Sequence, residues 1–453
     1  MRFEDEVGAG GRARQAAALG MGAGVLLVVL LAPGALRRSS EPWIGPYSLP
    51  TFVAIAAAAL GAAFATFLLV RFGRKGIILL LMNLAVLGGC VGIVEGLWRV
   101  YAWRHPAYRV LSLQPDPVLG WRHAPNIAWT WAGHVPAAFE FSVPVSTNAD
   151  GFRDRQRDVA KPPGTIRLAL LGDSMVEAMQ VPLGRTAGAL LEGRLNATPA
   201  PGPANGARYE VLNFGISNFG VGQSVLAWEH HARRFAPDYG FLYVAGFHMQ
   251  RTVTPDEAGF IARGERLRIR PTYRLEGGQL VLEEPRDLER FREIQEQVIN
   301  SELGGRRAGP QPPGLFVAWG LRTIHRGLRA AQWRLAGAQR PPEEPLDPQT
   351  VHVNLRLIER WAASVAAQGA RAVVVDAVTY HEPAHGQVSQ ALRALARRRG
   401  IGYVDLSNPL LEANHKGVAT RWRYDPHLNE RGNSIFADAM YAWIRQHALA
   451  AAN

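Results

Sequence analysis

Cysteine is almost missing from this chain: among 453 residues only Cys90 occurs, inside an apolar run. No intrachain disulfide can form, and cysteine usage points to no redox compartment. Lysine is nearly as scarce. Lys75, Lys161 and Lys416 are the only three, so the 50 basic residues are almost all arginine. No glycine loop closed by a lysine is present to cradle phosphate. The histidines His230, His231, His325, His381 and His385 have no cysteine or carboxylate partners at ligand spacing, and Pro383 breaks "HEPAH" as a helical pair. No metal and no cofactor are expected. The formal net charge is +12, but arginines alternate with acids, as in "RDRQRD" and "RDLERFREIQE". That interspersion excludes a nucleic-acid stripe. A basic chain with long apolar runs suits anionic lipid headgroups or acidic glycans instead.

Those runs crowd the first hundred positions. Ala16–Leu36, Thr51–Val70 and Ile77–Val100 are each long enough to cross about 30 Å of hydrocarbon as a helix. "LPTFVAIAAAALGAAFATFLLVRF" has no polar face, which argues against a buried helix of a soluble domain. Residues 1–104 therefore read as a membrane domain with about three transmembrane helices. Arg2, Arg12 and Arg14 before the first run, and Arg71, Arg74 and Lys75 before the third, lean toward an inside N-terminus. With three spans the large domain then lies outside: an integral protein of a bacterial inner membrane with its large domain in the periplasm.

Residues 105–160 are rich in Trp, Pro and Gly and read as a junction of short strands and turns, with a turn signal at Asn148-Ala-Asp-Gly151. From 161 to 453 short apolar strands alternate with helices. Strands are predicted at Ile166–Leu171, Tyr209–Phe214, Phe241–Ala245, Ala372–Asp376 and Gly402–Asp405, with helices near 184–195, 222–235, 348–368, 386–399 and 432–449. The alternation predicts an α/β fold, a doubly wound parallel sheet with helices on both faces. The stretch 250–346 interrupts it with a hairpin at Gly277-Gly278, a charged helix and a Pro/Gly linker. Next comes a Trp- and Arg-rich helix, "LFVAWGLRTIHRGLRAAQWRL", which fits a membrane surface and its own domain equally well.

Three short stretches carry chemistry. In "IRLALLGDSMVEAMQVP", Ser174 stands just past an apolar strand, at the edge where doubly wound sheets bind ligands. It reads as a nucleophile or as a helix N-cap, and the tripeptide alone favours the cap. In "YDPHLNERGNSIF", Asp425 stands two residues before His427, close enough to orient an imidazole that takes a serine proton. In "VLNFGISNFGVGQS", Gly215 follows the second strand and reads as a turn glycine or as an oxyanion donor.

In this order the three stretches resemble the nucleophile, glycine and Asp-His blocks of the SGNH (GDSL-type) hydrolases. The resemblance covers about 161–445. The membrane runs and the "NADGFRD" element make the layout similar to membrane-anchored bacterial members. The resemblance implies an α/β/α flavodoxin-like fold, Ser174 as nucleophile, His427 as general base and Asp425 as its orienting acid. It implies that the N–H groups of Ser174 and Gly215 form two parts of an oxyanion hole. The family's third block normally supplies an asparagine, and here it reads "PDYGFLYVAGFHMQRT" with none. Gln250 or His248 is the substitute the sequence offers. The expected function is a membrane-anchored serine esterase or acyltransferase acting on acyl groups, acetyl above all, of a surface or secreted glycan or lipid. The other expectation is a catalytically impaired member serving as an accessory subunit of a membrane protein complex. The expected partners are membrane lipids and the ester substrate, with no nucleic acid.

Overall fold

The computed structural model describes residues 49–104, 113–132, 140–197, 206–255, 266–303, 345–423 and 425–450. They fall into two compact units, one holding residues 49–104 and the other the residues from 113 onward.

The first unit contains two helices, α1 (Leu49–Phe72) and α2 (Arg74–Arg104), joined at Gly73, whose φ of +53° lets the chain turn. Within α2, Arg74–Leu97 is 24 residues of high hydropathy with none of its apolar window buried. At 1.5 Å per residue it spans about 36 Å, enough for a bilayer core. Leu81, Met82, Leu87 and Leu97 are all more than half exposed. Of the three expected spans, this one has the length and apolarity to cross a membrane. Thr51–Val70 lies within α1, where the apolar stretch Ala59–Phe72 is shorter than a span. Ala16–Leu36 lies outside the described residues.

The second unit is built on five parallel strands: β5 (Thr165–Gly172), β6 (Arg208–Gly215), β7 (Tyr239–Val244), β10 (Arg371–Asp376) and β11 (Gly402–Asp405). Their order is β11-β10-β7-β5-β6. The chain runs from β5 out to β6, then returns past β5 to β7. Such a reversal opens a crevice at the carboxyl ends of β5 and its neighbours. Period-two alternation splits the strand residues between two cores. Ala169, Leu171, Leu212, Phe214, Leu242 and Val374 face α4 (Val221–His230), α7 (Pro348–Ala366) and α8 (Gly386–Arg399). Leu168, Leu170, Val211, Phe241, Val373 and Val375 face α3 (Ala187–Ala197), α9 (Ser407–His415) and α10 (Glu430–Ala450). The expected doubly wound α/β sheet is present, with helices on both faces.

Local signals explain the element ends. Asp347 caps α7 by accepting from Thr350 N at 3.0 Å, and Pro348 occupies the first turn, where it costs no hydrogen bond. Helix α8 ends on Gly400 at φ +64°, after Arg397, Arg398 and Arg399.

The stretch 105–160, expected as a junction, is part of this second unit where described. It forms two antiparallel pairs, β1 (Leu113–Asp116) with β2 (Gly120–His123) and β3 (Ala128–Ala132) with β4 (Ser142–Ser146). Leu119, Trp121 and Phe152 are fully buried in one of the two cores. Asn148 organises the turn after β4: its Oδ1 accepts the N–H groups of Asp150 and Phe152, both at 3.0 Å. Between β7 and β10 come α5 (Gly246–Val253), the hairpin β8 (Thr272–Glu276) to β9 (Gln279–Glu283), and α6 (Leu288–Leu303). Gly277 and Gly278 take φ +55° and +80° at the hairpin tip, as a tight two-residue turn requires. The expected Trp- and Arg-rich helix lies outside the described residues.

Candidate active site

Strand β5 ends at Gly172, and the chain turns sharply into the helical turn Ser174–Glu177. Asp173 caps that turn with its side chain, accepting Met175 N at 3.0 Å, while its carbonyl accepts Val176 N and Glu177 N. The cap is thus Asp173, which leaves Ser174 Oγ at liberty. Ser174 Oγ lies 2.8 Å from His427 Nε2, and His427 Nδ1 lies 2.6 Å from Asp425 Oδ1. Asp425 Oδ1 also accepts the His427 backbone N–H at 2.9 Å. The three predicted triad residues, 253 positions apart at the extremes of the chain order, form one hydrogen-bonded chain. Bonded to a carboxylate at Nδ1, the imidazole presents Nε2 to the serine as an acceptor.

His427 is held by the loop it belongs to. Arg421 and Leu428 form an antiparallel bridge, and Trp422 N donates to His427 O at 3.2 Å. Asn429 then caps the start of α10, its Oδ1 accepting Gly432 N and its Nδ2 donating to Ala419 O and Arg421 O.

The nucleophile turn is gripped from both sides. Asn213 Nδ2 donates to Val176 O at 3.0 Å. Arg153 donates through Nη1 to Glu177 O at 2.9 Å and to Ala178 O, and through Nη2 to Val181 O at 2.6 Å. These carbonyls are exposed because Ala178 ends the turn in the left-handed conformation, φ +54°. Glu177 is fully buried, with its carboxyl between His123 Nε2 and Ser217 Oγ, and Trp121 Nε1 donates to Ser217 O at 3.1 Å. Arg153 belongs to "NADGFRD" and His123 to β2, so the supposed junction supplies the supports of the turn that carries Ser174. The "NADGFRD" element is visible in the sequence, but nothing local links its arginine to the Ser174 turn.

The expected oxyanion donors are arranged otherwise. The Gly215 N–H donates to Asn213 Oδ1 at 2.9 Å and is not free for an oxyanion. Gly215 instead permits contact: a Cβ there would lie 2.5 Å from Glu177 N and 2.7 Å from Val176 Cγ1. Gln250 is exposed and turned along its own helix toward Thr254 Oγ1, 3.4 Å away. His248 is fully buried, with Nε2 3.3 Å from Ser224 Oγ, and burial lowers its pKa to about 4, so it is neutral at pH 7. Neither side chain takes the place of the missing asparagine. The Ser174 N–H, the other expected donor, finds no acceptor among the described residues.

One residue that sequence reading passed over reaches Asp173, the neighbour of Ser174. Arg251 donates through Nη1 to Asp173 Oδ2 at 2.9 Å and to Phe219 O at 3.2 Å. Asn218, one residue before Phe219, takes φ +67° in the loop after β6. Burial works to raise the Asp173 carboxyl, but the positive fields of His248 when protonated and of Arg251, with the Met175 N–H, hold it below the ordinary carboxylate range. Nearby His381 accepts from Arg421 Nη2 at 2.9 Å on Nδ1 and meets Tyr243 OH at 2.7 Å on Nε2. Burial and the adjacent Arg421 push its pKa down to about 3, so it is a neutral ring. Among the described residues no group of histidines, cysteines and carboxylates is arranged to hold a metal ion.

No protein-family model matches the chain, and no curated protein matches it. Solved structures similar to it are GDSL-type lipolytic proteins and esterases. TesA is 12% identical with a TM-score of 0.34, over 62% of this chain and 98% of TesA. A G-D-S-L family lipolytic protein from Veillonella parvula is 12% identical with a TM-score of 0.30, over 61% of this chain and 97% of that one. A catalytic mutant of an acetylxylan esterase from Geobacillus stearothermophilus is 11% identical with a TM-score of 0.33, over 62% and 94%. At this distance the α/β assignment rests on the strand order and the two cores described above.

Proposed function

We propose that this chain is a membrane-anchored serine esterase or acyltransferase of the SGNH type. The observation that carries the reading is the hydrogen-bonded chain Ser174–His427–Asp425 at the carboxyl end of β5. Ser174 Oγ attacks the ester carbonyl carbon as its proton passes to His427 Nε2, and the carbonyl electron pair moves onto oxygen. The tetrahedral species collapses, the C=O re-forms, and the leaving alkoxide takes the proton from His427. Water or a sugar hydroxyl then attacks acyl-Ser174 by the same steps in reverse order of roles. Asp425 stabilises the imidazolium throughout.

The apolar, unburied helix α2 supports anchoring in a membrane, and membrane lipids are its partners. Arg71, Arg74 and Lys75 at or just before the start of that helix favour an inside position for that end, and the reading puts the hydrolase unit on the periplasmic side of a bacterial inner membrane. The arginine-rich composition suits an acylated surface or secreted glycan, or an anionic lipid, with acetyl as the transferred group.

The test is fluorophosphonate labelling of the full chain in detergent, with p-nitrophenyl acetate hydrolysis measured in parallel. Wild type is expected to label and hydrolyse, and Ser174→Ala to do neither. Wild type no faster than Ser174→Ala on esters and acetylated glycans would refute the reading.

A further inference from the structure

The oxyanion hole lacks the side-chain donor that the sequence was expected to supply, and both substitutes it offered are turned elsewhere. Helix α5 nevertheless sends one residue to the turn that carries Ser174. It starts at the carboxyl end of β7, the strand beside β5, so its first turns flank the nucleophile turn. The loop after β6 flanks the same turn from the other side. Arg251 bridges the two flanks, from the carboxylate of Asp173, adjacent to Ser174, to the carbonyl of Phe219, adjacent to Asn218.

Both bonds use Nη1. Nε and Nη2 find no acceptor among the described residues, and the side chain is 26% exposed while Asp173 is 1% exposed. A guanidinium with donors to spare, open to solvent on one side, is anchored one residue from the nucleophile. Its direction is fixed by packing. The guanidinium carbon stands 4.8 Å above the ring of Phe247, four residues earlier on the same helix. Phe247 in turn meets His381 edge-on at 5.1 Å. His381 is neutral, so that ring itself adds no charge behind Phe247.

We propose that Arg251 is a catalytic residue: its free N–H groups donate to the oxyanion that forms when Ser174 attacks the ester. This rests on the esterase reading above and adds the donor which that reading leaves open. As the carbonyl electron pair moves onto oxygen, a fixed positive charge stabilises the transition state more than the neutral ester. The arginine therefore acts on kcat. Asp173 keeps the guanidinium in place and partly balances its charge without occupying the two free donors.

The experiment compares full-length wild type, Ser174→Ala, Arg251→Ala and Arg251→Lys in detergent, with p-nitrophenyl acetate as substrate and thermal midpoints as the check on folding. Arg251→Ala is expected to lose roughly 10²–10³ in kcat with KM little changed. Arg251→Lys keeps the charge without the fork and is expected to fall between, with a midpoint near wild type. Millimolar guanidinium chloride is expected to restore part of the kcat of Arg251→Ala while leaving its midpoint unmoved. A kcat within threefold of wild type in both variants overturns the proposal. So does a loss confined to KM, which would make Arg251 a binding group. A loss in Arg251→Ala that follows a fallen midpoint and resists guanidinium overturns it too, as a structural clamp would behave. If wild type is no faster than Ser174→Ala, the esterase reading itself fails, and that comparison involves no Arg251 variant.

Discussion

His123 and Glu177 are hydrogen-bonded to each other inside the fold, at 1% and 0% side-chain exposure. One comes from a short strand that reads as part of a linker, and the other from the turn that carries the nucleophile. The bond ties β2 to the turn that carries Ser174. His123→Ala leaves the buried Glu177 carboxyl with Ser217 as its remaining side-chain partner. A buried polar group deprived of a partner costs about 1–3 kcal/mol. The thermal midpoint should fall accordingly, and Ser174 should label more slowly because its turn is less firmly held. Unchanged midpoint and labelling rate would show the contact to be incidental.

Arg153 is the second support. It is 1% exposed and ends on three carbonyls, those of Glu177, Ala178 and Val181. Burial lowers its guanidinium to about 10, against the raising influence of Glu177, so it stays charged at neutral pH. A lysine presents a point charge without the fork and cannot reach all three acceptors in the same geometry. Arg153→Lys is therefore expected to cost about 2 kcal/mol or more and to cut kcat together with the rate of fluorophosphonate labelling. A variant with wild-type midpoint and kcat would disprove the role.

Gly215 differs from its expected part. Its N–H is spent on Asn213, and its lack of a side chain lets the nucleophile turn rest on the end of β6. Gly215→Ala forces a Cβ against the backbone of Glu177 and the side chain of Val176. Overpacking of this kind costs about 1–3 kcal/mol and moves what it touches. The turn carries Ser174, so esterase activity should fall more than ground-state binding does. Kinetics with kcat and KM resolved would check this, and a rise in KM alone would contradict it.

Much of the second unit is legible in the sequence. Strand β5, predicted at Ile166–Leu171, runs from Thr165 to Gly172, and Gly402–Asp405 is a strand over the same residues. β5 is buried on both faces and reads as a nearly continuous apolar run ended by Gly, whereas the edge strand β11 is half-buried at alternate residues. The triad is legible because its chemistry needs specific residues in a specific order. The oxyanion donors are not. Gln250 and Arg251 point about 100° apart on α5, and only the position of the helix start decides which of them faces the nucleophile. The role of residues 113–160 is equally hidden. Trp121 reaches Ser217, 96 positions later, and the two hairpins bury their aromatics against partners that leave no periodic mark near them.

His248 makes acid sensitivity a property of the fold. In the unfolded chain a histidine titrates near 6.5, whereas burial holds His248 at about 4. Between those values the unfolded state binds the proton and the native state does not, so stability rises with pH across that window. It is fully present above about 6.5 and is lost as pH falls toward 4, at up to roughly 1.4 kcal/mol per pH unit from this one site. Asp173, held below the ordinary carboxylate range, acts in the same direction at still lower pH. His248→Gln keeps a polar group for Ser224 and removes the titration. The thermal midpoint of wild type should drop between pH 6.5 and pH 4.5, and the drop should be shallower in His248→Gln. Parallel pH profiles for the two proteins would mean that His248 titrates as freely in the fold as in the unfolded chain.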